Sequence, residues 1–187
     1  MRIISGVLKG KKLYQPMDEF TRPLKDLTKE SLFNIILHSN KFNGKIKDAK
    51  VLDLFSGVGS FGLECLSREA SAVTFVDNYK IVISILKKNI LNLNLSKKSE
   101  IIQKDIFHEL DFNNLNSQFD IIFLDPPYKE KLLSTILKKI FNAKILTEEG
   151  LIIIHRHKNE TNETNEFFNI IEEKNYGISK LIFGKFF

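Results

Sequence analysis

The tetrapeptide Asp125-Pro126-Pro127-Tyr128 places an acid, two prolines and an aromatic ring at adjacent positions. Each proline fixes its own φ and lacks an N–H, so two in succession hold the preceding carbonyls in one direction. The Asp125 carboxylate and the Pro126 carbonyl could therefore each accept a hydrogen bond from one planar NH2 group. The Tyr128 ring offers a stacking surface to a flipped base. A purely structural turn would not require all of these residue types together.

A glycine-rich segment from Asp53 to Gly62 is the second candidate site. Gly57, Gly59 and Gly62 have the GxGxxG spacing, and glycine allows close backbone approach to a ligand and positive φ. The same spacing occurs in dinucleotide-binding folds, and a turn needed only for packing would look similar. Asp53 favours a ligand site, because its carboxylate could hold an amino group or an ordered water.

Two more acids follow predicted strands. Asp77 ends the second strand, where an acid can accept hydrogen bonds from both hydroxyls of a ribose, although a helix cap is the alternative. Asp105 follows the third strand and could accept a hydrogen bond from an adenine amino group while Ile106 packs on the ring. A structural role is equally compatible with Asp105 taken alone.

Short apolar strands alternate with amphipathic helices along the chain. The predicted strands are Val51–Phe55, Val73–Asp77, Ile101–Gln103, Ile121–Leu124 and Leu151–Ile154, with further strands within Ile178–Phe187. The predicted helices are Lys25–Ser39, Phe61–Ser67, Ile81–Leu91 and Leu132–Phe141. This alternation indicates an α/β fold whose parallel sheet is covered on both faces. Ligands of such sheets bind at the carboxyl ends of the strands, where the acids lie.

The N-terminal segment differs from the rest of the chain in charge. Residues 1–50 hold 11 of the 28 Lys and Arg but only 5 of the 23 Asp and Glu. The remaining residues are therefore almost neutral, and the net charge of +5 is N-terminal. A basic segment of this kind is expected of a surface that meets phosphates, although a merely solvated segment is the alternative. The strands Arg2–Ser5 and Lys11–Gln15 are predicted to form a hairpin around Gly6–Gly10.

Composition argues against several classes of protein. No apolar run approaches the roughly 18 residues of a membrane span, and the first residues lack a secretory h-region, so a cytoplasmic protein is expected. A single cysteine, Cys65, excludes an internal disulfide and a four-cysteine zinc site. His155 and His157 lie two residues apart, but no third ligand is evident, so no metal is expected.

The tetrapeptide, taken with Asp53, Gly57, Gly59, Asp77 and Asp105 in this order, resembles the class I amino-methyltransferases that use S-adenosylmethionine. Four N-terminal blocks resemble the RsmD family more narrowly: Arg2-Ile3-Ile4-Ser5-Gly6, Lys9-Gly10-Lys11-Lys12-Leu13, Arg22-Pro23-Leu24 and Glu30-Ser31-Leu32-Phe33-Asn34. Members of that family methylate the N2 amino group of a guanine in bacterial 16S ribosomal RNA. The resemblance extends from about residue 1 to residue 155.

The resemblance implies a Rossmann-like fold with a mostly parallel seven-stranded sheet, helices on both faces and an N-terminal β-hairpin extension. Residues 1–20 would form an RNA-binding extension, and residues 21–187 the methyltransferase domain. The implied cofactor is S-adenosylmethionine. The implied partner is 16S rRNA within an assembled or assembling small ribosomal subunit, with no membrane and no metal.

The resemblance also implies roles for particular residues. The catalytic residues would be Asp125, Pro126, Pro127 and Tyr128, and the RNA-binding residues Lys9, Lys11, Lys12 and Arg22. The cofactor-binding residues would be Asp53, Phe55, Ser56, Gly57, Gly59, Asp77, Asn78, Asp105 and Ile106. The sequence departs from the family pattern at Val58, where Ser or Thr is frequent, at Asp77, where Glu is more usual, and at Leu24, where Thr is frequent. None of these departures removes a group that the chemistry requires.

Three alternatives remain open at this point. An N6-adenine methyltransferase of DNA or RNA would use the same tetrapeptide, because an adenine amino group poses the same chemical problem. A noncatalytic ribosome-assembly factor could keep the basic segment without turnover. A nicotinamide-dependent oxidoreductase would explain the glycine-rich segment but would leave Asp125-Pro126-Pro127-Tyr128 without a role.

Overall fold

The computed structural model describes residues 1–16, 26–42, 44–115, 117–127, 132–160 and 166–187. The helices are α1 (Asp26–His38), α2 (Ser60–Ser67), α3 (Lys80–Asn92) and α4 (Leu133–Ala143). The strands are β1 (Lys50–Leu54), β2 (Ala72–Asp77), β3 (Ser99–Gln103), β4 (Phe119–Leu124), β5 (Leu146–His157), β6 (Phe168–Tyr176) and β7 (Ser179–Phe186).

The strands form one seven-stranded sheet in the order β3-β2-β1-β4-β5-β7-β6. The first five strands in this order are parallel, whereas β7 is antiparallel to both of its neighbours. The mostly parallel seven-stranded sheet is therefore confirmed. The strands predicted from the sequence did not include β6, because only the first residue of this edge strand is buried and it has no continuous apolar run.

The sheet separates two apolar clusters, because successive side chains of a strand point to opposite faces. Val51 and Ile121 belong to one cluster, which also contains residues of α1, α2 and α3. Leu52 and Ile122 belong to the other, which contains residues of α4. Both faces are thus covered, as the continuous apolar strands predict.

The N-terminal segment corrects one prediction. The expected strands Arg2–Ser5 and Lys11–Gln15 are not formed, and a single antiparallel bridge joins Arg2 to Lys12. The two arms still pair with each other, because the N–H groups of Ile3 and Leu13 donate to the carbonyls of Lys11 and Met1 at 2.9 and 3.1 Å. Helix α2 supplies further partners. Glu64 accepts from the backbone N–H groups of Ile4 and Ser5 at 2.8 and 2.9 Å.

A glycine makes the close approach of this segment to α2 possible. Gly6 has φ +81°, and a Cβ on it would lie 1.9 Å from the carbonyl oxygen of Ser67. The backbone N–H of Val7 donates to that same carbonyl, and the N–H of Leu8 donates to the Ser67 hydroxyl. We call residues 1–16 the N-terminal loop, because its two arms pair at a single bridge without forming regular strands, and it is docked on α2.

Within the described parts of the chain, none of the helices combines the length and apolar character needed to cross a membrane.

Candidate active site

Residues 55–59, which we call the glycine-rich turn, join β1 to α2 at the carboxyl edge of the sheet. Phe55, Gly57 and Gly59 all have positive φ, at 60°, 54° and 84°. A Cβ added to Gly57 would meet no atom within 4 Å, so the turn faces open space there. The hydroxyl of Ser56 is buried and has no hydrogen-bond partner among the described residues. The turn therefore has room and an unused polar group for a ligand.

Asp53 lies beneath this turn and is 1% exposed. Its Oδ2 accepts a hydrogen bond from the backbone N–H of Gly62 at 2.9 Å. Burial raises the pKa of Asp53 to about 8, and the nearby charges of Asp125 and Asp77 act in the same direction. At neutral pH the carboxyl group is mostly protonated, so it can donate a hydrogen bond as well as accept one.

Asp77, at the end of β2, holds the glycine-rich turn to its own strand. One carboxylate oxygen accepts from the N–H of Gly57 at 2.8 Å, and the other from the N–H of Tyr79 at 2.9 Å. The bond to Tyr79 does not make Asp77 the cap of α3, because Tyr79 is itself the N-cap residue of that helix. Each oxygen retains a second lone pair, so these bonds leave acceptor capacity for a ligand.

Asp105 and Asn78 link the ends of β3 and β2. Asn78 Nδ2 donates to Asp105 Oδ2 at 3.0 Å. Asp105 Oδ1 accepts from the backbone N–H groups of Phe107 and His108. Ile106 is 3% exposed and packs in the apolar cluster on the α4 side of the sheet. Its predicted contact with an adenine ring therefore requires a ligand that reaches the margin of this cluster.

The turn that begins at Asp125 follows β4, and we call its described residues 125–127 the Asp125 turn. The N–H of Asp125 donates to the carbonyl of Leu54 at 3.3 Å, which ties the turn to the end of β1. Pro126 is buried, whereas Pro127 is exposed. Tyr128, the last residue of the predicted tetrapeptide, lies outside the described residues.

His155, which the sequence suggests only as a possible metal ligand, lies beside Asp125. Its Nδ1 forms a hydrogen bond with Asp125 Oδ1 at 2.7 Å, and its side chain is 7% exposed. A signal for this pair was present in the sequence. The apolar runs Ile121–Leu124 and Leu151–Ile154 have equal length, and each is followed by one of the two polar residues.

The predicted RNA-binding lysines lie on the N-terminal loop. Lys9, Lys11 and Lys12 are all exposed. Arg22 falls outside the residues that the structure describes.

A buried asparagine connects the end of the loop to the glycine-rich turn. Asn89 of α3 is fully buried and donates from Nδ2 to the carbonyls of Tyr14 and Val58 at 3.2 and 3.1 Å. Its Oδ1 accepts from the N–H of Tyr14 at 2.8 Å. Val58, one of the three departures from the family pattern, is 7% exposed and belongs to the buried core. The loop is thus joined to the edge of the sheet that carries the site.

The structure gathers the polar strand ends at one edge of the sheet. Asp53 lies beside Phe75 of β2 and Phe123 of β4 in the parallel register. Asp77 is the last residue of β2, and Asp125 directly follows β4. Among the described residues, no group of three or more His, Cys, Asp and Glu side chains is placed to hold a metal ion.

Comparison with known proteins identifies the family. A family model described as conserved hypothetical protein 95 matches residues 1–185. The ribosomal RNA small subunit methyltransferase D of Haemophilus influenzae is 34% identical over 179 residues, covering 95% of this chain and 90% of that protein. A candidate rRNA methyltransferase of Bacillus subtilis, YlbH, is 36% identical over 181 residues, covering 96% and 95%.

A solved structure agrees with these sequence relatives. The candidate methyltransferase yhhF of Escherichia coli superposes with a TM-score of 0.82 at 28% identity, covering 100% of this chain and 97% of that one. The similarity therefore includes the N-terminal loop as well as the sheet. The chain belongs to the family described as conserved hypothetical protein 95, the RsmD family, as its N-terminal blocks and strand-end motifs predict.

Proposed function

We propose that this protein methylates the N2 amino group of a guanine in the 16S rRNA of the small ribosomal subunit, with S-adenosylmethionine as the methyl donor. The observation that carries the proposal is the meeting of the Asp125 turn, the glycine-rich turn and the acids of β1 and β2 at one edge of the sheet. The relatives named as rRNA methyltransferases support RNA as the substrate.

The residues at this edge fit an adenosine-containing cofactor. The open space above Gly57 admits a ligand close to the backbone, and the buried Ser56 hydroxyl can bond to it. Asp77 and Asp105 have acceptor capacity for ribose hydroxyls and an amino group. We assign cofactor binding to Asp53, Phe55, Ser56, Gly57, Gly59, Asp77, Asn78, Asp105 and Ile106.

The Asp125 turn would hold the amino group that is methylated. Guanine N2 is a poor nucleophile, because its lone pair is delocalised into the ring. Hydrogen bonds from N2–H to the Asp125 carboxylate and the Pro126 carbonyl would localise that lone pair and aim it. Pro127 restricts the backbone of the turn, and Tyr128 would stack on the base.

When bound, S-adenosylmethionine supplies a methyl group on a positively charged sulfur, which becomes a neutral thioether as the carbon–nitrogen bond forms and N2 releases one proton. The contribution of the protein is alignment of the nucleophile. Correct alignment can lower a barrier by about 7–11 kcal/mol in favourable cases. Asp125 thus acts mainly as an orienting acceptor.

The N-terminal loop would bind the RNA backbone. Lys9, Lys11 and Lys12 are exposed and could contact phosphates, and Arg22 is assigned the same role from the sequence. Phosphate contacts position a substrate, whereas the pocket at the Asp125 turn would select the base. In this proposal residues 1–20 are the RNA-binding extension of a methyltransferase domain formed by residues 21–187.

The test is transfer of labelled methyl groups to small subunits and to naked 16S rRNA from cells that lack the gene. Nucleoside digestion and mass spectrometry would then identify the product. N2-methylguanosine supports the proposal, whereas N6-methyladenosine would establish the adenine alternative, and no product from either substrate would favour an assembly factor.

The same assay tests the Asp125 turn. We expect Asp125→Ala to lower kcat by about 100-fold or more, because its proposed partner is the reacting base. Its affinity for S-adenosylmethionine, measured by calorimetry, should stay near the wild-type value. Near wild-type turnover in Asp125→Ala would refute the assigned role.

A further inference from the structure

The contact between Asp125 and His155 follows from the register of two parallel strands. Leu124 of β4 pairs with Ile154 of β5. Asp125, which follows β4, therefore lies beside His155 of β5. Residues that are neighbours in the register of two parallel strands point to the same face of the sheet. The two polar side chains therefore emerge side by side at the edge where the base would bind.

The pair is asymmetric in its exposure. The His155 side chain is 7% exposed and that of Asp125 is 25% exposed. The buried imidazole is held in the sheet, and the hydrogen bond of 2.7 Å to Oδ1 restrains the more exposed carboxylate. One oxygen of Asp125 is thereby committed to His155, and Oδ2 is the oxygen that remains for a substrate.

We propose that His155 is a positioning residue for methyl transfer: its Nδ1–H donates to Asp125 Oδ1 and orients the carboxylate so that Oδ2 and the Pro126 carbonyl can receive one amino group together. This inference rests on the proposed function and deepens it, because it names a residue that acts through Asp125. It assigns no proton transfer to His155.

The chain offers a matched set of variants. In asparagine the amide nitrogen is bonded to Cγ, as Nδ1 is in histidine, so His155→Asn can place a donor where Nδ1–H lies. In glutamine the amide nitrogen is one bond further out, so His155→Gln moves the donor, and His155→Leu removes it. His157 lies on the same strand and accepts from the backbone N–H of Asn159, so His157→Gln is the control for a histidine change on β5.

The experiment measures kcat, KM for RNA and the affinity for S-adenosylmethionine in each variant, together with its melting temperature. We expect His155→Leu and His155→Gln to lower kcat by about 10- to 100-fold, since small misplacements of a reacting group have effects of this size. Cofactor affinity should stay within about twofold of wild type in every variant. His155→Asn should recover most of kcat, and His157→Gln should keep the wild-type value.

A purely structural role for His155 predicts a different result. Loss of packing would lower the melting temperature and the kcat of the Asn, Gln and Leu variants alike, and His155→Asn would not recover kcat. Equal kcat values in His155→Asn and His155→Gln, or a wild-type kcat in a folded His155→Leu protein, would overturn the inference. If His155→Leu does not fold, the comparison of kcat between His155→Asn and His155→Gln still tests the inference.

A double-mutant cycle tests whether His155 acts through Asp125. In an Asp125→Asn background, His155→Gln should change kcat by no more than about twofold, because the oriented carboxylate is already absent. Multiplicative effects on kcat would overturn the inference while leaving the proposed function intact. A wild-type protein that binds S-adenosylmethionine but methylates neither rRNA substrate would refute the proposed function itself, and this role with it.

Discussion

Asp53 shows how burial alone changes the chemistry of a single residue. Its carboxyl group lies beneath the glycine-rich turn and accepts a hydrogen bond from the N–H of Gly62. Desolvation of the charged form is the main cause of its raised pKa, and the charges of Asp125 and Asp77 contribute. A mostly neutral Asp53 reduces the negative charge at the site, which holds three acids close together.

The titration of Asp53 predicts a pH dependence of stability. The folded state holds the proton up to about pH 8, whereas the ordinary pKa is 3.8. The folded state therefore binds more protons between these values, and stability falls as the pH rises through this window. We expect wild type to lose on the order of a few kcal/mol relative to Asp53→Asn between about pH 5 and pH 9.

Urea unfolding of both proteins across this range measures the effect. The free energy of unfolding of wild type minus that of Asp53→Asn should fall steadily toward about pH 8 and then level off. A constant difference at every pH would show that the pKa of Asp53 is not raised in the folded protein.

Asp77 is predicted to contribute directly to cofactor affinity. Its two carboxylate oxygens already hold Gly57 and Tyr79, so Asp77→Ala removes both the proposed ribose acceptors and the support of the turn. We expect binding of S-adenosylmethionine to weaken by about 1.5–3 kcal/mol. Calorimetry on protein with an unchanged circular dichroism spectrum is the measurement, and unaltered affinity would exclude a ribose contact.

At the scale of elements, the N-terminal loop combines a fixed backbone with exposed charges. Glu64 and Ser67 of α2 bind its backbone, and Asn89 of α3 binds its far end at Tyr14. Its lysine side chains take no part in these backbone contacts and are exposed. Such a loop can present cations to a phosphate backbone without reorganisation of the fold.

The salt dependence of RNA binding tests this loop. Neutralising Lys9, Lys11 and Lys12 together should flatten the slope of log affinity against log salt by about 0.7–0.9 for each phosphate that these lysines bind in the wild type. Cofactor affinity and the choice of base should not change, since neither depends on phosphate binding.

A matched variant controls for net charge. Lys47, Lys97 and Lys98 are exposed near the amino ends of β1 and β3, the opposite edge of the sheet, and neutralising them removes the same number of charges. This control should keep the wild-type slope. Parallel slopes for wild type and the loop variant, on assembled subunits and on naked RNA, would mean that the loop does not touch phosphate.

At the scale of the whole molecule, a buried ion pair joins the N-terminal loop, α1 and α2. Lys29 and Glu64 have fully buried side chains, with Nζ 3.9 Å from Oε2. Lys29 also donates to the carbonyl of Arg2 at 2.7 Å, and Arg68 Nε bonds to Glu64 at 3.0 Å. Burial lowers the pKa of Lys29, and the charge of Glu64 partly opposes this shift.

Breaking this pair should destabilise the whole domain. Lys29→Met leaves the buried carboxylate of Glu64 without its lysine, and removal of one partner of a buried pair typically costs about 3–5 kcal/mol. Glu64 keeps its bonds from the backbone N–H groups of Ile4 and Ser5 and from the guanidinium of Arg68. We therefore expect the decrease in stability to lie near about 3 kcal/mol, the lower end of this range. Urea unfolding measures the decrease in stability.

The double variant Lys29→Met, Glu64→Gln provides the control. It removes both charges, so its decrease in stability should be smaller than the sum of the two single decreases. Additive decreases would indicate that the two charges do not interact in the folded protein.

The amino-acid sequence by itself determined the architecture and most positions of the candidate site. The apolar runs of β1, β4 and β5 identify central parallel strands because such strands are buried on both faces. Proline and glycine act on their own backbone, so the Asp125 turn and the positive φ of Gly57 follow from local chemistry. The catalytic and cofactor roles of these residues stay predictions.

Only the tertiary structure decided which distant groups meet. The pairing of His155 with Asp125 depends on the register between β4 and β5, and local periodicity identifies a strand without fixing its partner. The N-terminal loop was predicted as a hairpin of two strands, and its arms do pair at Arg2 and Lys12, but no regular strand forms and α2 binds part of its backbone through Glu64 and Ser67. Hydrogen-bond partners some 60 positions away leave no trace in the local pattern, since any nearby donor or acceptor can satisfy a backbone group.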